Sequence, residues 1–331
     1  MVAIAALFTA ALGVAAVSPP GRAVVDSVRE AVGVERAQPA LFRLPAAGSL
    51  LVGSDAGTWV VEQNGKKRLL GTYREASWSP FGRFVVATRR NELAALEPDG
   101  DVRWTLARRN VRFPRWTGTE SDTRIAYLSA DSLRIVGGDG EGDQPLRRSV
   151  TAVGPAWRPR GGFVVSYVDR AGAVVTEDVE RRAVLWRRQY PRPVLQLAWS
   201  ADGRRLLVRQ RQRVDVLTRD GLAFTGVRDD GASVTASAFR ANLHESSHAF
   251  TANGKAEVLH TGSGGRLFAG AGRLSELAWS PDGRWLLVGW PAADQWVLVR
   301  ADGVSIRAVS NVSAQFRSRS FPRVEGWCCP E

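Results

Sequence analysis

The sequence predicts an all-β fold, a seven-bladed β-propeller preceded by an N-terminal hydrophobic helix. One observation is a row of large aromatic residues at intervals of 38, 41, 42, 40 and 40 residues: Trp78, Trp116, Trp157, Trp199, Phe239 and Trp279. The other is that several short apolar segments, separated by Gly, Asp and Pro, fill each interval. A repeat of about 40 residues with several strands per unit is typical of propeller blades.

The clearest repeat unit spans residues 277–288. A short apolar segment ends at Trp279, a Pro-Asp-Gly turn follows, and a second apolar segment begins. Asp-Gly suits a tight reversal that needs a positive φ. A small sheet cannot bury both of its faces alone, so a large ring at one fixed position is expected to fill the gap between neighbouring blades. We therefore predict structural anchors at the six aromatic positions above and at Trp327.

Both ends of the repeat region carry incomplete units. Three β segments without a preceding anchor strand occupy residues 50–52, 58–61 and 68–70, and one anchor strand with nothing after it ends at Trp327. We expect the N- and C-terminal strands to pair in one shared blade, which removes the open sheet edges. The ends therefore predict seven blades, and six blades is the alternative.

Three regions are predicted along the chain. Residues 1–17 are apolar apart from Thr9 and carry no charge, which predicts a transmembrane anchor, with a signal segment as the alternative. Residues 18–48 are expected to form an amphipathic helix, which Ser18 caps, and then a linker. The β-propeller domain is predicted over residues 49–331. Three basic residues follow the apolar segment: Arg22, Arg29 and Arg36. They favour a C-terminal side in the cytoplasm, so the side of the membrane on which the propeller lies stays open.

The chain has two cysteines, Cys328 and Cys329, which are adjacent. Two cysteines cannot form a disulfide framework, and no C-x-x-C pair suggests zinc. Consecutive Cα atoms lie about 3.8 Å apart, closer than an ordinary bridge prefers. We expect two buried thiols, and a vicinal disulfide or a bond to a partner are the alternatives.

The charge balance suggests an anionic partner. The chain has 45 Lys and Arg against 33 Asp and Glu, a formal net charge of +12. If the strands of a blade are named A to D, with the anchor on A, the B–C and D–A loops share one face of the disc. The A–B and C–D turns then share the other. Basic residues concentrate in the B–C and D–A loops and acidic residues in the C–D turns, so one basic and one acidic face are expected.

We predict that the basic loop face, formed by the B–C and D–A loops, is the binding surface. Its candidate residues are Arg89, Arg90, Arg108, Arg109, Arg170, Arg187, Arg188, Arg209, Arg211, Arg213 and Lys255. The alternative is that these loops have no binding role and are solvated segments that keep the protein soluble.

The anchor turns resemble the WD-repeat-like repeat of TolB-type propellers. Residues 199–203 (Trp-Ser-Ala-Asp-Gly) and 279–283 (Trp-Ser-Pro-Asp-Gly) match its core best, whereas residues 78–82 and 157–161 match in part. The resemblance covers residues 49–327. It implies a propeller and a periplasmic, protein-binding scaffold, and it is specific for the fold rather than for the partner.

One stretch spells a zinc-protease signature, H-E-x-x-H, from His244 to His248. That motif needs a helix, which places both His on one face to bind one Zn²⁺ with the Glu as base. Here the repeat predicts a strand, on which residues four apart lie about 13 Å apart. We therefore predict no metal site and no cofactor. We also find no nucleophile–base set, and expect His260 in a loop or at a strand end.

The sequence as a whole favours a non-enzymatic, membrane-tethered scaffold of the cell envelope. We expect a monomeric, single-pass protein with an extracytoplasmic propeller, which docks an acidic protein or an anionic envelope polymer through the basic loop face. The alternative is a propeller hydrolase or lyase with a site in the central channel, which clustered carboxylates or His on the innermost strands would indicate. Nucleic acid is a weaker alternative, because the basic loops contain few aromatic residues.

Overall fold

The computed structural model describes residues 43–160, 162–228, 232–240, 245–261 and 265–329, with the backbone alone at 224–228. Within them, the strands form seven four-stranded antiparallel sheets. The predicted all-β, seven-bladed architecture is confirmed, and the six-bladed alternative is wrong. The predicted N-terminal helices lie outside the described residues. Inside the described part of the chain, no helix is both apolar enough and long enough to cross a bilayer.

The blades are numbered along the chain, and the strands of each are given in the order A to D. Blade 1 contains β4 (Glu75–Trp78), β5 (Val85–Arg89), β6 (Glu92–Leu96) and β7 (Val102–Ala107). Blade 2 contains β8 (Val111–Gly118), β9 (Thr123–Ser129), β10 (Ser132–Gly137) and β11 (Gln144–Arg147). Blade 3 contains β12 (Ala156–Trp157), β13 (Val164–Val168), β14 (Ala173–Asp178) and β15 (Ala183–Gln189). Blade 4 contains β16 (Gln196–Trp199), β17 (Arg205–Arg209), β18 (Arg213–Thr218) and β19 (Ala223–Arg228).

The last three blades follow the same order. Blade 5 contains β20 (Ser233–Phe239), β21 (Ser246–Ala252), β22 (Lys255–His260) and β23 (Arg266–Ala271). Blade 6 contains β24 (Leu277–Trp279), β25 (Trp285–Trp290), β26 (Gln295–Arg300) and β27 (Ile306–Ser310). Blade 7 contains β28 (Arg323–Cys328), β1 (Ser49–Ser54), β2 (Gly57–Val61) and β3 (Lys67–Gly71). A 3₁₀ turn (Pro291–Ala293) joins β25 to β26, and the one-turn helix α1 (Val312–Gln315) lies between blades 6 and 7.

The seven A strands form the innermost ring. The A strand of each blade contacts the A strands of both neighbouring blades, from β4 through to β28 and back to β4. Blade 7 holds both ends of the described chain, because β28 pairs with β1 in a register that places Trp327 opposite Leu50. Leu44, in the predicted linker, is buried in the same blade, and its backbone N–H donates to Gln63 O at 2.8 Å.

The predicted anchors lie near the ends of the A strands and fill the gaps between blades. The indole N–H of Trp157 donates to Arg115 O of blade 2 at 2.9 Å, and that of Trp199 donates to the Ser166 hydroxyl of blade 3 at 3.1 Å. Trp327 belongs to an apolar cluster that also contains Leu50 of blade 7 and Leu287 of blade 6. Each anchor therefore covers apolar surface that its own sheet leaves open.

Side-chain capping holds the turn that follows the anchor. In blade 6, Asp282 Oδ1 accepts hydrogen bonds from the Ser280 hydroxyl at 2.5 Å and from Arg284 N at 3.0 Å. Gly283 has a φ of +66°, which a residue with a side chain adopts only at a cost. Blade 1 has Phe81 in place of this Asp, and the Phe81 side chain is 47% exposed.

The cysteines lie on the corresponding turn of blade 7. The expectation of two buried thiols is wrong, because Cys328 and Cys329 are bonded to each other. Their turn, with Cys329 at a φ of +52°, packs on the A–B turn of blade 1, and the Cys329 sulfur lies 3.7 Å from Pro80 O. The spacing of consecutive Cα atoms does not by itself specify the turn that brings the two sulfur atoms together.

Asp282→Ala is expected to lower the free energy of unfolding by about 1–2 kcal/mol, because the Ser280 hydroxyl and the Arg284 amide lose their acceptor. Phe81→Asp is the matched variant, since it supplies blade 1 with the missing acceptor. It is expected to raise the free energy of unfolding by up to about 1 kcal/mol. Urea unfolding of both variants checks this, and a loss of stability in Phe81→Asp contradicts the capping argument.

Candidate functional site

The predicted basic residues lie at the B–C and D–A ends of the strands. Arg209 ends β17 and Arg213 begins β18, on either side of one B–C loop. Lys255 begins β22 beside another B–C loop, and Arg187 and Arg188 lie near the D–A end of β15. The fold therefore brings the eleven candidates to one face of the disc.

Six of the eleven are engaged by internal partners. Arg89, Arg108, Arg187 and Arg213 pair with the carboxylates of Glu92, Asp143, Asp169 and Asp215 at 3.1, 2.8, 2.6 and 2.6 Å. Arg188 donates to Gly221 O at 3.1 Å and Arg209 to Gln196 Oε1 at 2.8 Å. The other five are exposed and have no side-chain partner among the described residues: Arg90, Arg109, Arg170, Arg211 and Lys255.

Arg209 has a structural position rather than a surface one. It also donates to Val234 O of blade 5 at 3.1 Å, so it links blades 4 and 5. Burial, and then the positive charge of Arg273, lower the pKa of the guanidinium to about 10. The side chain is therefore already committed to the packing of two blades.

The expectation of an acidic opposite face is wrong in two respects. First, Asp143 and Glu177 are inside the protein. Arg108 and Arg134 bind the Asp143 carboxylate, and Arg147 binds Glu177 at 2.8 Å. Burial opposes ionisation of Asp143, but the hydrogen bonds from Arg134, Tyr127 and Arg108 outweigh it and hold the pKa of this carboxyl below its usual value.

Second, the strand ends beside the turns of that face carry arginines. These pair with the acidic residues predicted there, in the pairs Arg103–Glu97, Arg124–Glu180 and Arg300–Asp302 at 3.2, 3.1 and 3.1 Å. The A–B and C–D face is thus mixed in charge. This pairing does not follow from the charges of the C–D turns alone, because the arginines lie on the adjoining strands.

Three carboxylates on or beside the innermost strands were missed by the sequence analysis. Glu325 lies on β28, Glu75 begins β4, and Glu276 directly precedes β24. These belong to three consecutive blades, 6, 7 and 1. The sequence feature that could have identified them is their position two or three residues before an anchor. The repeat places those positions on or beside the innermost strand of each blade.

Each of these carboxylates has an internal donor. Glu75 accepts from Phe113 N and pairs with Arg112 at 3.6 Å. Glu325 pairs with Arg323 at 3.3 Å, and Glu276 accepts from the Ser275 hydroxyl. Burial raises the pKa of Glu276 to about 7, against the opposing effects of Ser275, Arg323 and Arg273. Burial also raises the pKa of Glu325, while Arg323 and Arg115 oppose the shift.

A cavity of about 910 Å³ opens on the B–C and D–A face, where blades 7, 1 and 2 meet. Four arginines from separate segments line it: Arg74, Arg90, Arg112 and Arg323. Two carboxylates, of Asp55 and Glu75, line it as well. Hydrogen bonds from Ser320 and from Arg319 N hold the pKa of Asp55 well below its usual value, so this carboxylate remains ionised.

The two described histidines, His248 and His260, lie in buried hydrogen-bond networks. His260 Nε2 lies 2.9 Å from Glu245 Oε2, and its Nδ1 lies 3.1 Å from the Ser247 hydroxyl. This resembles a nucleophile–base set, which the sequence analysis had not found, but Ser247 has no exposed surface. His248 lies on β21, as the repeat predicted, and His244 lies outside the described residues. In the described ranges, no three potential ligands could hold a metal ion.

Comparison with known proteins identifies the fold. No protein-family model matches the chain, and no curated protein matches it. The C-terminal WD40 domain of Sif2 aligns with a TM-score of 0.60 and 11% identity, over 83% of this chain and 86% of that chain. The β-propeller domain of Myceliophteria thermophila Cps50 (Swd1) aligns with a TM-score of 0.59 and 16% identity, over 74% and 93%. The fold is that of a WD-repeat-like propeller.

The fold alone does not define the activity. Hydrazine synthase of Kuenenia stuttgartiensis also aligns, with a TM-score of 0.53 and 14% identity over 69% of this chain and 76% of that chain. At sequence identities this low, the structural similarity shows the propeller fold only. The function must therefore be argued from the described surfaces.

The buried imidazole of His248 gives a pH prediction. Burial, and then the charge of His260, lower the pKa of His248 from 6.5 to about 4. Below pH 6.5 the unfolded chain takes up a proton that the folded chain does not, so this residue's contribution is lost as the pH falls towards 4. Between pH 6.5 and pH 4, the free energy of unfolding of the wild type is expected to fall by up to about 3 kcal/mol because of this residue. His248→Gln should reduce the dependence of the free energy of unfolding on pH, which urea unfolding across that range measures. An unchanged pH dependence contradicts the lowered pKa of His248.

Glu276 is expected to act with the opposite sign. Its pKa is raised from 4.5 to about 7, so the folded chain binds the extra proton and gains stability as the pH falls from 7 to 4.5. Glu276→Gln removes a carboxylate whose ionisation is unfavourable. At a pH above 7 it should raise the free energy of unfolding by up to about 3 kcal/mol, and near pH 4.5 it should change it little. The same unfolding series measures this, and an equal effect at both pH values contradicts it.

Proposed function

We propose that this chain is a non-enzymatic interaction scaffold that docks an acidic protein through the basic loop face. The observation that carries the proposal is the set of five exposed basic side chains without internal partners: Arg90, Arg109, Arg170, Arg211 and Lys255. On the opposite face several arginines pair with carboxylates. Three exposed arginines there that have no such pair among the described residues, Arg83, Arg160 and Arg284, lie on blades that are not adjacent in the ring. Unpaired cations on neighbouring loops favour association with an anionic surface.

Three of these side chains form a continuous arc. Arg170 and Arg211 lie in the B–C loops of blades 3 and 4, and Lys255 begins β22 directly after the B–C loop of blade 5; these blades are consecutive in the ring. An acidic protein surface can contact the three loops together without entering the channel. The WD-repeat-like fold supports a scaffold role, and an anionic envelope polymer remains the alternative ligand for the same arc.

Tethering to the membrane is part of the proposal. It rests on the uncharged, apolar composition of residues 1–17 and on the resemblance to TolB-type propellers, which favours an extracytoplasmic propeller. In that arrangement the docked protein belongs to the cell envelope.

The second candidate is a hydrolase or lyase acting in the channel, since Glu75, Glu276 and Glu325 lie on or beside innermost strands. A carboxylic acid with a pKa near 7, such as Glu276, suits general acid catalysis. However, Glu75 is held by Arg112 and Phe113 N, and Glu325 by Arg323. The geometry therefore favours the scaffold.

The scaffold is tested with a charge-reversal variant of the arc, Arg170→Glu with Arg211→Glu and Lys255→Glu. The wild type should bind immobilised poly-L-glutamate at low salt, and the variant should bind at least about tenfold more weakly, since three exposed cations have become anions. Binding is measured by surface plasmon resonance over a salt series, because exposed charges are screened within about 8–10 Å.

The matched control reverses three arginines of the opposite face, Arg83→Glu with Arg160→Glu and Arg284→Glu. It changes the net charge equally, so a general charge effect predicts the same loss in both variants. Crosslinking of both variants in membranes of the source cells, followed by mass spectrometry, identifies the acidic protein. Equal capture of that protein by the wild type and the arc variant refutes the proposal.

A further inference from the structure

The cavity where blades 7, 1 and 2 meet is separate from the proposed docking arc. It is lined by the B–C hairpin of blade 7, the D–A segments that precede blades 1 and 2, and the start of β28. The arc lies on blades 3 to 5. A volume of about 910 Å³ is in the range of sites for small molecules rather than for protein surfaces.

The positive charges of the cavity exceed its negative charges. Both lining carboxylates are engaged internally, Asp55 by the segment 318–320 and Glu75 by blade 2. Arg112 and Arg323 each face a carboxylate at 3.6 and 3.3 Å. The side chains of Arg74 and Arg90 are exposed and have no acceptor among the described residues. Two guanidinium groups are therefore available to a ligand.

The arginines of the cavity come from separate segments of the chain, and this arrangement restricts the kind of ligand that they can bind together. Arg74 lies between blades 7 and 1, Arg90 in the B–C loop of blade 1, and Arg112 in blade 2. A carboxylate has two oxygens in one plane, which a single guanidinium can satisfy. A phosphate monoester carries a charge of about −1.5 to −2 and three acceptor oxygens, which point in separate directions. Guanidinium groups are well suited to bind it bidentately.

Neutral polar groups complete the cavity. Thr72 and Asn110 line it beside the arginines, and Ser54 lines it on the blade 7 side. A phosphoryl group occupies only a small part of the volume, so an organic substituent fits beside these hydroxyl and amide groups. We infer that this cavity binds a small-molecule phosphate monoester, with Arg74 and Arg90 holding the phosphoryl oxygens.

The test uses the full chain and isothermal titration calorimetry with phenyl phosphate at low salt, and with benzoate as the carboxylate of similar shape. Phenyl phosphate should bind with a Kd below about 1 mM, and benzoate at least about tenfold more weakly. Arg74→Gln with Arg90→Gln should weaken phenyl phosphate binding by about tenfold or more, because two charge-assisted contacts are lost. Both side chains are exposed, and circular dichroism verifies that the variant is folded.

The matched control is Arg83→Gln with Arg284→Gln, which removes the same charge from exposed side chains of the opposite face. It should leave phenyl phosphate binding within about twofold of the wild type. Absence of binding, equal binding of benzoate, or an equal loss in the control variant overturns the inference. Much tighter binding of a phosphoserine peptide than of phenyl phosphate overturns the small-molecule assignment. Arg90 belongs to the basic loop face as well as to the cavity, but the docking test changes only Arg170, Arg211 and Lys255. Failure of one proposal is therefore distinguishable from failure of the other.

Discussion

The structure depends on the contact between neighbouring blades. A four-stranded sheet buries neither of its faces alone, so each blade is stable only because the next covers it. The anchors meet this need from one position in the repeat. Trp157 bonds to Arg115 O of the preceding blade and Trp199 to Ser166, while Trp327 joins a cluster shared by blades 6 and 7.

The same constraint acts on the turns. Gly203 lies so close to Pro159 O of the preceding blade that a Cβ would overlap it, and Arg240 donates to Gly283 O of the next blade at 2.7 Å. A–B turns of neighbouring blades are therefore in direct contact at these two places. The bonded cysteines occupy this place in blade 7, where the two ends of the described chain meet.

Much of the arginine excess serves these interfaces. Arg108 of blade 1 reaches Asp143 of blade 2, whose carboxylate also accepts from the Tyr127 hydroxyl, and Arg147 of blade 2 reaches Glu177 of blade 3. Buried carboxylates are tolerated here because guanidinium and phenol groups satisfy them. The candidate cations that are left over lie on or beside the B–C and D–A loops, where their side chains are exposed. Surface function is thus assigned to side chains that the contacts between blades do not use.

The aromatic period and the incomplete ends predicted the class of fold, the number of blades and the end of the strand on which each loop lies. These follow from the sequence because a repeated unit places equivalent residues in equivalent positions. The partners of charged groups did not follow. Nothing in the period indicates that Arg209 is committed to Gln196, that Glu177 is buried, or that Arg108 binds Asp143 of the next blade. Such pairings join residues of different strands and blades, so only the tertiary structure decided them.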